Sequence, residues 1–329
     1  MMKRYNDTDY TIADPEEERE LRRAADGLGH LLKVGVLLGV GLIAVGIFLL
    51  LTSCHKETDT AGAANVKVTF NDFSIGMEDF PGARTSSSAK DAVADYSGVK
   101  AMTLAFFDAQ GNEIYNTTQL RADNTTYTTF GEFSLSLPLG SYTMVALGYG
   151  SEQPITLNSA TEAVFTNDRC RETFVASQAV NVSNTNPLTL NAELSRVVSK
   201  VLVKSTDVRI SGVDSVRVTF SAGGRGVNPQ TGLATSNNGL VNTVGTTSAV
   251  GAVSNTVSYL FLNSDPQTMN VTVEALRTDG TVYSTRTVTD AELRRNKIIV
   301  LSGPLYSNAS GAGFTVSAAW NGDTTFVDF

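Results

Sequence analysis

Histidine is almost missing from this sequence: there are two in 329 residues, His30 and His55, and both precede the first stretch that patterns as folded chain. A serine-histidine-aspartate triad needs an imidazole held in a packed site, as does a zinc centre that uses histidine, so neither fits the body of the chain. Cysteine is as scarce. Cys54 and Cys170 are the only two, which excludes a scaffold stapled by several disulfides. Tryptophan occurs once, at Trp320, and charged residues make up only 18% of the chain. From Cys54 onward there are 19 basic against 25 acidic side chains, net −6. Nucleic-acid binding needs a clustered basic surface that displaces counterions, and none is present. Gly223-Gly224-Arg225-Gly226 lacks the lysine and hydroxyl of a phosphate loop and reads as a turn. Acidic pairs are too common to single out a carboxylate-only hydrolase. The expectation is a protein that is not an enzyme and has no cofactor, no metal site and no nucleic-acid partner.

Apolar residues make up 42% of the chain, with Val, Thr, Ser, Gly and Asn abundant, a composition that favours strands. Val66, Val68 and Phe70 alternate with polar residues, and Phe73, Ile75 and Met77 continue in a shifted phase. The change of phase marks a bulge or turn at Asn71-Asp72. Residues 81–98 read as a loop with one helical turn near 89–94. From Val99 strand follows strand: VKAMTLAFFD, EIYN after a turn at Gln110-Gly111, and FGEFSLSLP turning at Pro138-Leu139-Gly140 into SYTMVALGY as a hairpin. The second half repeats the style with ELSRVVSKVLVKS, VDSVRVTFS, NTVSYLFLN and MNVTVEALR, the last joined to TVYSTRTV through Asp279-Gly280, a type I′ signal. Residues 221–256 read as a long loop or weak edge strands, and Thr289-Asp290-Ala291-Glu292 as a capping box opening a helical turn. GFTVSAAW closes the chain, with Phe314, Val316, Ala318 and Trp320 on one face. No alternation of strand and helix appears, so the expected fold is all-β, two stacked sandwiches.

Residues 34–51, VGVLLGVGLIAVGIFLLL, form an uncharged apolar run long enough to reach most of the way across a bilayer. Leu51-Thr52-Ser53-Cys54 follows directly and resembles the bacterial lipobox, with an aliphatic residue, two small ones and a thiol that accepts diacylglycerol. Two or more acyl chains hold a protein on a membrane stably, whereas one does so only marginally. The alternative is an uncleaved membrane helix beside an accidental cysteine. Residues 14–24, DPEEERELRRA, read as a solvated helix capped by Asp14. The organisation read from sequence is 1–53 cytoplasmic extension and signal or transmembrane segment, 54–64 flexible tether, 65–188 first sandwich and 189–329 second sandwich. With Cys54 acylated, Cys170 has no partner in the chain. It reads as a buried small apolar group, or as a reactive thiol beside Arg169 and Arg171.

Taken in order, the lipobox, VKVTF, VKAMTLAFFDAQGNEIY, FSLSLPLGSYTMVALGYG, ELSRVVSKVLV, ELRRNKIIVLSGPLY and FTVSAAW resemble the Bacteroidales fimbrillin family, the type V pilins, and within it the lipoprotein anchor and minor subunits. The resemblance implies two transthyretin-like Greek-key sandwiches, a place in a fimbrium on the outer-membrane surface, and partners among other fimbrial subunits that join by strand addition. Host or bacterial surface ligands are further partners. It also implies that Arg84, in PGARTSSS, matches the position at which shaft subunits are cut by an arginine-specific protease; an uncut anchor would instead keep its lipid at Cys54. The competing function is a surface glycan-binding lipoprotein, for which Tyr115, Tyr127 and Tyr149 are the available aromatic platforms.

Overall fold

A computed structural model describes residues 66–76, 90–183, 186–307 and 313–318. All of them belong to the compact unit Ala63–Phe329, distinct from Met1–Gly62. The described residues are all-β, with twenty strands and no helix. The first ten strands are β1 (Val66–Gly76), β2 (Lys90–Ala92), β3 (Ala101–Phe107), β4 (Glu113–Leu120), β5 (Phe133–Leu137), β6 (Gly140–Tyr149), β7 (Thr156–Ser159), β8 (Glu162–Val164), β9 (Thr173–Val182) and β10 (Leu188–Arg196). The second ten are β11 (Val198–Ser205), β12 (Val213–Phe220), β13 (Gly226–Asn228), β14 (Leu233–Ala234), β15 (Leu240–Gly245), β16 (Asn255–Phe261), β17 (Gln267–Arg277), β18 (Val282–Leu293), β19 (Ile298–Gly303) and β20 (Thr315–Ala318).

The same seven-strand plan occurs twice. In the first half β5–β1–β10 faces β4–β3–β6–β9, and the two layers touch by hydrogen bonds only at the corner where Ser195 and Arg196 of β10 meet Val175 and Phe174 of β9. In the second half β16–β11–β19 corresponds to the first layer and β15–β12–β17–β18 to the second. In each half the opening strand pairs in parallel with the closing one, β1 with β10 and β11 with β19. Period-two burial makes each layer amphipathic: β5 reads buried, exposed, buried, exposed, buried, placing Phe133, Leu135 and Leu137 in the core. Facing them are Met102, Leu104 and Phe106 of β3 and Met144 and Ala146 of β6. Fully burying a side chain of this size contributes roughly 1.5–3 kcal/mol.

β3 breaks the alternation because all seven of its residues are buried. Ala101, Ala105 and Phe107 point away from the first core and join the second, together with Val145, Leu147 and Tyr149 of β6. A small sheet, β7–β8–β13–β14, supplies the covering layer, and β8 pairs with β13 across the two halves. Phe165 stacks on Phe261 of β16 at 6.3 Å and 13°, and meets Tyr149 edge-on at 5.9 Å and 85°. The first sandwich thus keeps its own core and shares the apolar cluster of the second through the outer face of its β3–β6 layer.

Several local expectations change. The Asn71 bulge is present, as a register shift between Phe70 and Asp72 against β10. Residues 189–196, assigned by sequence to the second half, are the closing strand of the first, because β10 pairs along β1; the halves divide near Val197. β5 and β6 are not a hairpin: β5 pairs with β1, while β6 pairs with β3 and β9, so Pro138-Leu139 carries the chain from one layer to the other. The Tyr142 hydroxyl donates to Pro138 O at 2.9 Å and pins that crossing. Lys90–Ala92 is a strand on β1 and not a helical turn. Thr289–Glu292 is likewise strand, where Thr289 and Asp290 together oppose Asn270 in a bulge, with Asp290 at φ 54° and its N–H on Asn270 Oδ1 at 3.2 Å. The Asp279-Gly280 turn puts only Gly280 at positive φ, 81°, and Gly280 N–H donates to Arg277 O at 2.8 Å. It is a type I turn followed by a left-handed glycine instead of type I′. The Asp108–Asn112 turn is built the same way around Gly111.

Candidate functional site

β20 has no counterpart in the seven-strand plan. It lies antiparallel on the outer side of β19, with Val316 opposite Leu301, and among the described residues it is paired on that side alone. β18 is the edge of the opposing layer. Between them the second sandwich opens as a groove of about 400 Å³. Val288 and Ala291 of β18 and Ile299 of β19 line it as buried side chains, whereas Val316 is 48% exposed. The bulge at Asp290 re-aims β18 along this wall, which is the ordinary use of a bulge at a sheet edge. Arg294 and Lys297 also line it, Arg294 pairing with Glu292 at 2.9 Å. A sandwich mouth with an apolar floor and a strand edge left unpaired among the described residues offers main-chain hydrogen bonds and side-chain burial together. An added strand needs both.

The residues that sequence singled out for lipidation and processing, Leu51, Thr52, Ser53, Cys54 and Arg84, lie outside the described residues, as do His30, His55 and Trp320. Cys170 is described, and it is buried at 1% exposure. Burial drives its thiol far above the ordinary cysteine range, outweighing the pull of Arg225 and Arg171. The reactive alternative falls: Arg171 spends its charge on Asp168, Nε to Oδ2 at 2.9 Å, and Asp168 also accepts from the Ser151 hydroxyl at 2.8 Å. Among the described residues no three His, Cys, Asp or Glu side chains converge on a metal position. Of the three tyrosines considered as platforms, Tyr149 is fully buried, while Tyr115 and Tyr127 are half-buried on the first sandwich. Sequence reasoning placed Val316 on a strand face but missed the groove, since its wall comes from a bulge that reads locally as a helix start.

Two sandwiches of one topology, with two short strands added outside that plan, β2 on β1 and β20 on β19, define an all-β protein whose β20 edge is unpaired among the described residues. The chain belongs to the family of unknown function DUF6562, which matches residues 151–327. No curated protein matches the sequence. Among solved structures it is similar to the fimbrial anchor protein Mfa2 from Porphyromonas gingivalis, at 12% identity over 78% of this chain and 98% of that one, with a TM-score of 0.45. A fimbrial assembly protein from Parabacteroides distasonis is also 12% identical, over 78% and 96% of the two chains, with a TM-score of 0.38. A Bacteroides thetaiotaomicron protein provisionally described as polysaccharide-binding is 13% identical over 77% and 98%, with a TM-score of 0.43. Bacteroidales fimbrial proteins are thus among the solved structures that this chain resembles.

Proposed function

We propose that this chain is a non-catalytic fimbrial subunit, lipidated at Cys54 on the outer-membrane surface, that joins a neighbouring subunit by strand addition at the outer edge of β20. The observation that carries the reading is Val316, an apolar side chain left 48% exposed over a groove whose apolar floor, Val288, Ala291 and Ile299, is buried under a polar rim. A partner strand laid along β20 would complete its ladder and cover that groove. The tether expected at 54–64 would reach at most about 40 Å if fully extended.

Val316→Asp puts a charge at the groove while leaving the buried core untouched. The expected result is at least a tenfold drop in fimbriae retained on cells and in subunit crosslinked to the protein, at an unchanged melting temperature. Retention equal to wild type would refute the docking site. Cys54→Ala is expected to abolish incorporation of labelled palmitate, and label persisting in that variant would refute lipidation at this thiol. The shaft-type alternative is separable by mass. A cut after Arg84 would free β1 from between β5 and β10, uncovering Leu135, Leu137 and Leu194, and would leave Thr85 as the first residue of the mature protein.

A further inference from the structure

The first sandwich carries a second cleft of contrary chemistry, between edge strand β4 and the loop 121–132 that leads to β5. Its volume is about 570 Å³, inside the range of roughly 300–1,000 Å³ usual for ligand sites. Twelve residues without a strand of their own are long for a connection, and such loops are usually functional. This one is held open by a dedicated set of bonds. The Gln119 side chain, buried, donates to Glu132 O at 2.7 Å and accepts from Gly131 N–H at 2.8 Å. The Tyr127 hydroxyl donates to Leu120 O at 2.9 Å. Arg121 lies 4.1 Å over the Phe130 ring and donates to Val93 O, Ala94 O, Tyr96 O and Val99 O. The cleft is preorganised, which lowers the ordering cost of any ligand it takes.

Its lining defines that ligand. Tyr115 and Tyr127 present half-buried rings, Thr126 and Thr128 stand among further threonines, Asp123 and Glu132 supply carboxylates, and among the described residues no lysine or arginine is part of the lining. Carboxylates without a cation repel anions. Hydroxyls and carboxylates in one cleft suit a ligand with many hydroxyl groups of its own, and a tyrosine ring offers the flat apolar surface on which the C–H face of a sugar packs. A peptide strand is a poorer fit, since strand addition to β4 would want alternate apolar pockets and finds threonines instead. From these we infer that the cleft between β4 and the 121–132 loop binds a short neutral oligosaccharide. This goes beyond the fimbrial reading and stands without it.

The detergent-solubilised full chain, applied to a printed panel of neutral hexose and N-acetylhexosamine oligosaccharides with sialylated and sulfated counterparts, tests it. Neutral glycans are expected to be retained and the anionic ones not, and calorimetric titration of the best neutral binder then gives Kd. Glu132→Ala and Thr128→Lys, both at exposed positions, are expected to weaken Kd at least tenfold at an unchanged melting temperature. Four outcomes would overturn the assignment: no neutral glycan retained by wild type, a preference for the anionic series, equal affinity in both variants, or protection of β4 amides from hydrogen exchange by fimbrial-subunit peptides and by no glycan.

Discussion

Tyr96 shows how much one side chain can be made to hold. Its hydroxyl donates to Glu172 Oε2 at 3.0 Å and accepts from Arg196 Nη2 at 3.3 Å, and its ring meets Phe174 edge-on at 5.6 Å. Arg196 in turn reaches Asn296 Oδ1 at 2.8 Å, tying the corner of the first sandwich to the turn before β19. Burial first, and the Glu172 charge second, push the phenol up to about 12. A pKa raised on folding means that the protonated form belongs to the fold. Its stabilisation is complete below about pH 10, the unfolded value, and is lost as pH rises through 12. In a phenolate absorbance titration Tyr96 is expected to ionise among the last tyrosines, and Tyr96→Phe to remove that step at a cost of about 1 kcal/mol. A titration curve unchanged by the substitution would contradict this. Cys170 gives the complementary expectation, no alkylation by iodoacetamide in the native protein and prompt reaction once denatured.

Among the elements, what could be read in advance was period and what could not was partner. The FSLSL alternation announces β5 and its buried face, yet nothing local says that the strand pairs with β1 in its own layer and not with β6, which follows it in sequence. The same limit hid the bulge at Asp290. Thr289-Asp290-Ala291-Glu292 has the spacing of a helix cap, but Ala291 and Leu293 must reach the core opposite β17, and the sheet overrides the local preference. The lipobox and Arg84 were legible only as sequence patterns, while both clefts required the layers to be in place. Turn chemistry was half legible: the glycine was right and the turn type was not. Gly280 has no atom within 4 Å of where a Cβ would sit, so Gly280→Ala tests the backbone alone. The expected loss is about 1 kcal/mol in denaturant unfolding, with Gly280→Asn losing less because asparagine tolerates left-handed φ. A larger loss for Asn than for Ala would contradict the assignment.

At the scale of the molecule, the shared core decides how the halves behave. Phe165 leaves the first half to stack on Phe261 of the second, and β8 pairs with β13 beside it. Phe165→Ala is expected to cost about 3–5 kcal/mol, the range for a buried ring replaced by a cavity. Unfolding is expected as a single calorimetric transition whose enthalpy matches the van't Hoff value. Two resolved transitions in the wild-type chain would show that the sandwiches stand independently.

The flanking of β1 has a mechanical consequence. The strand is gripped on both sides, antiparallel by β5 from Val66 to Phe70 and in parallel by β10 from Val68 to Gly76. A pull on its leading end, directed along the strand, meets the rungs of both ladders side by side, so they resist in shear and share the force. Peeling, in which bonds fail one after another, is denied to it. Under the proposed lipid anchor at Cys54, drag on whatever the far sandwich holds would be borne by β1.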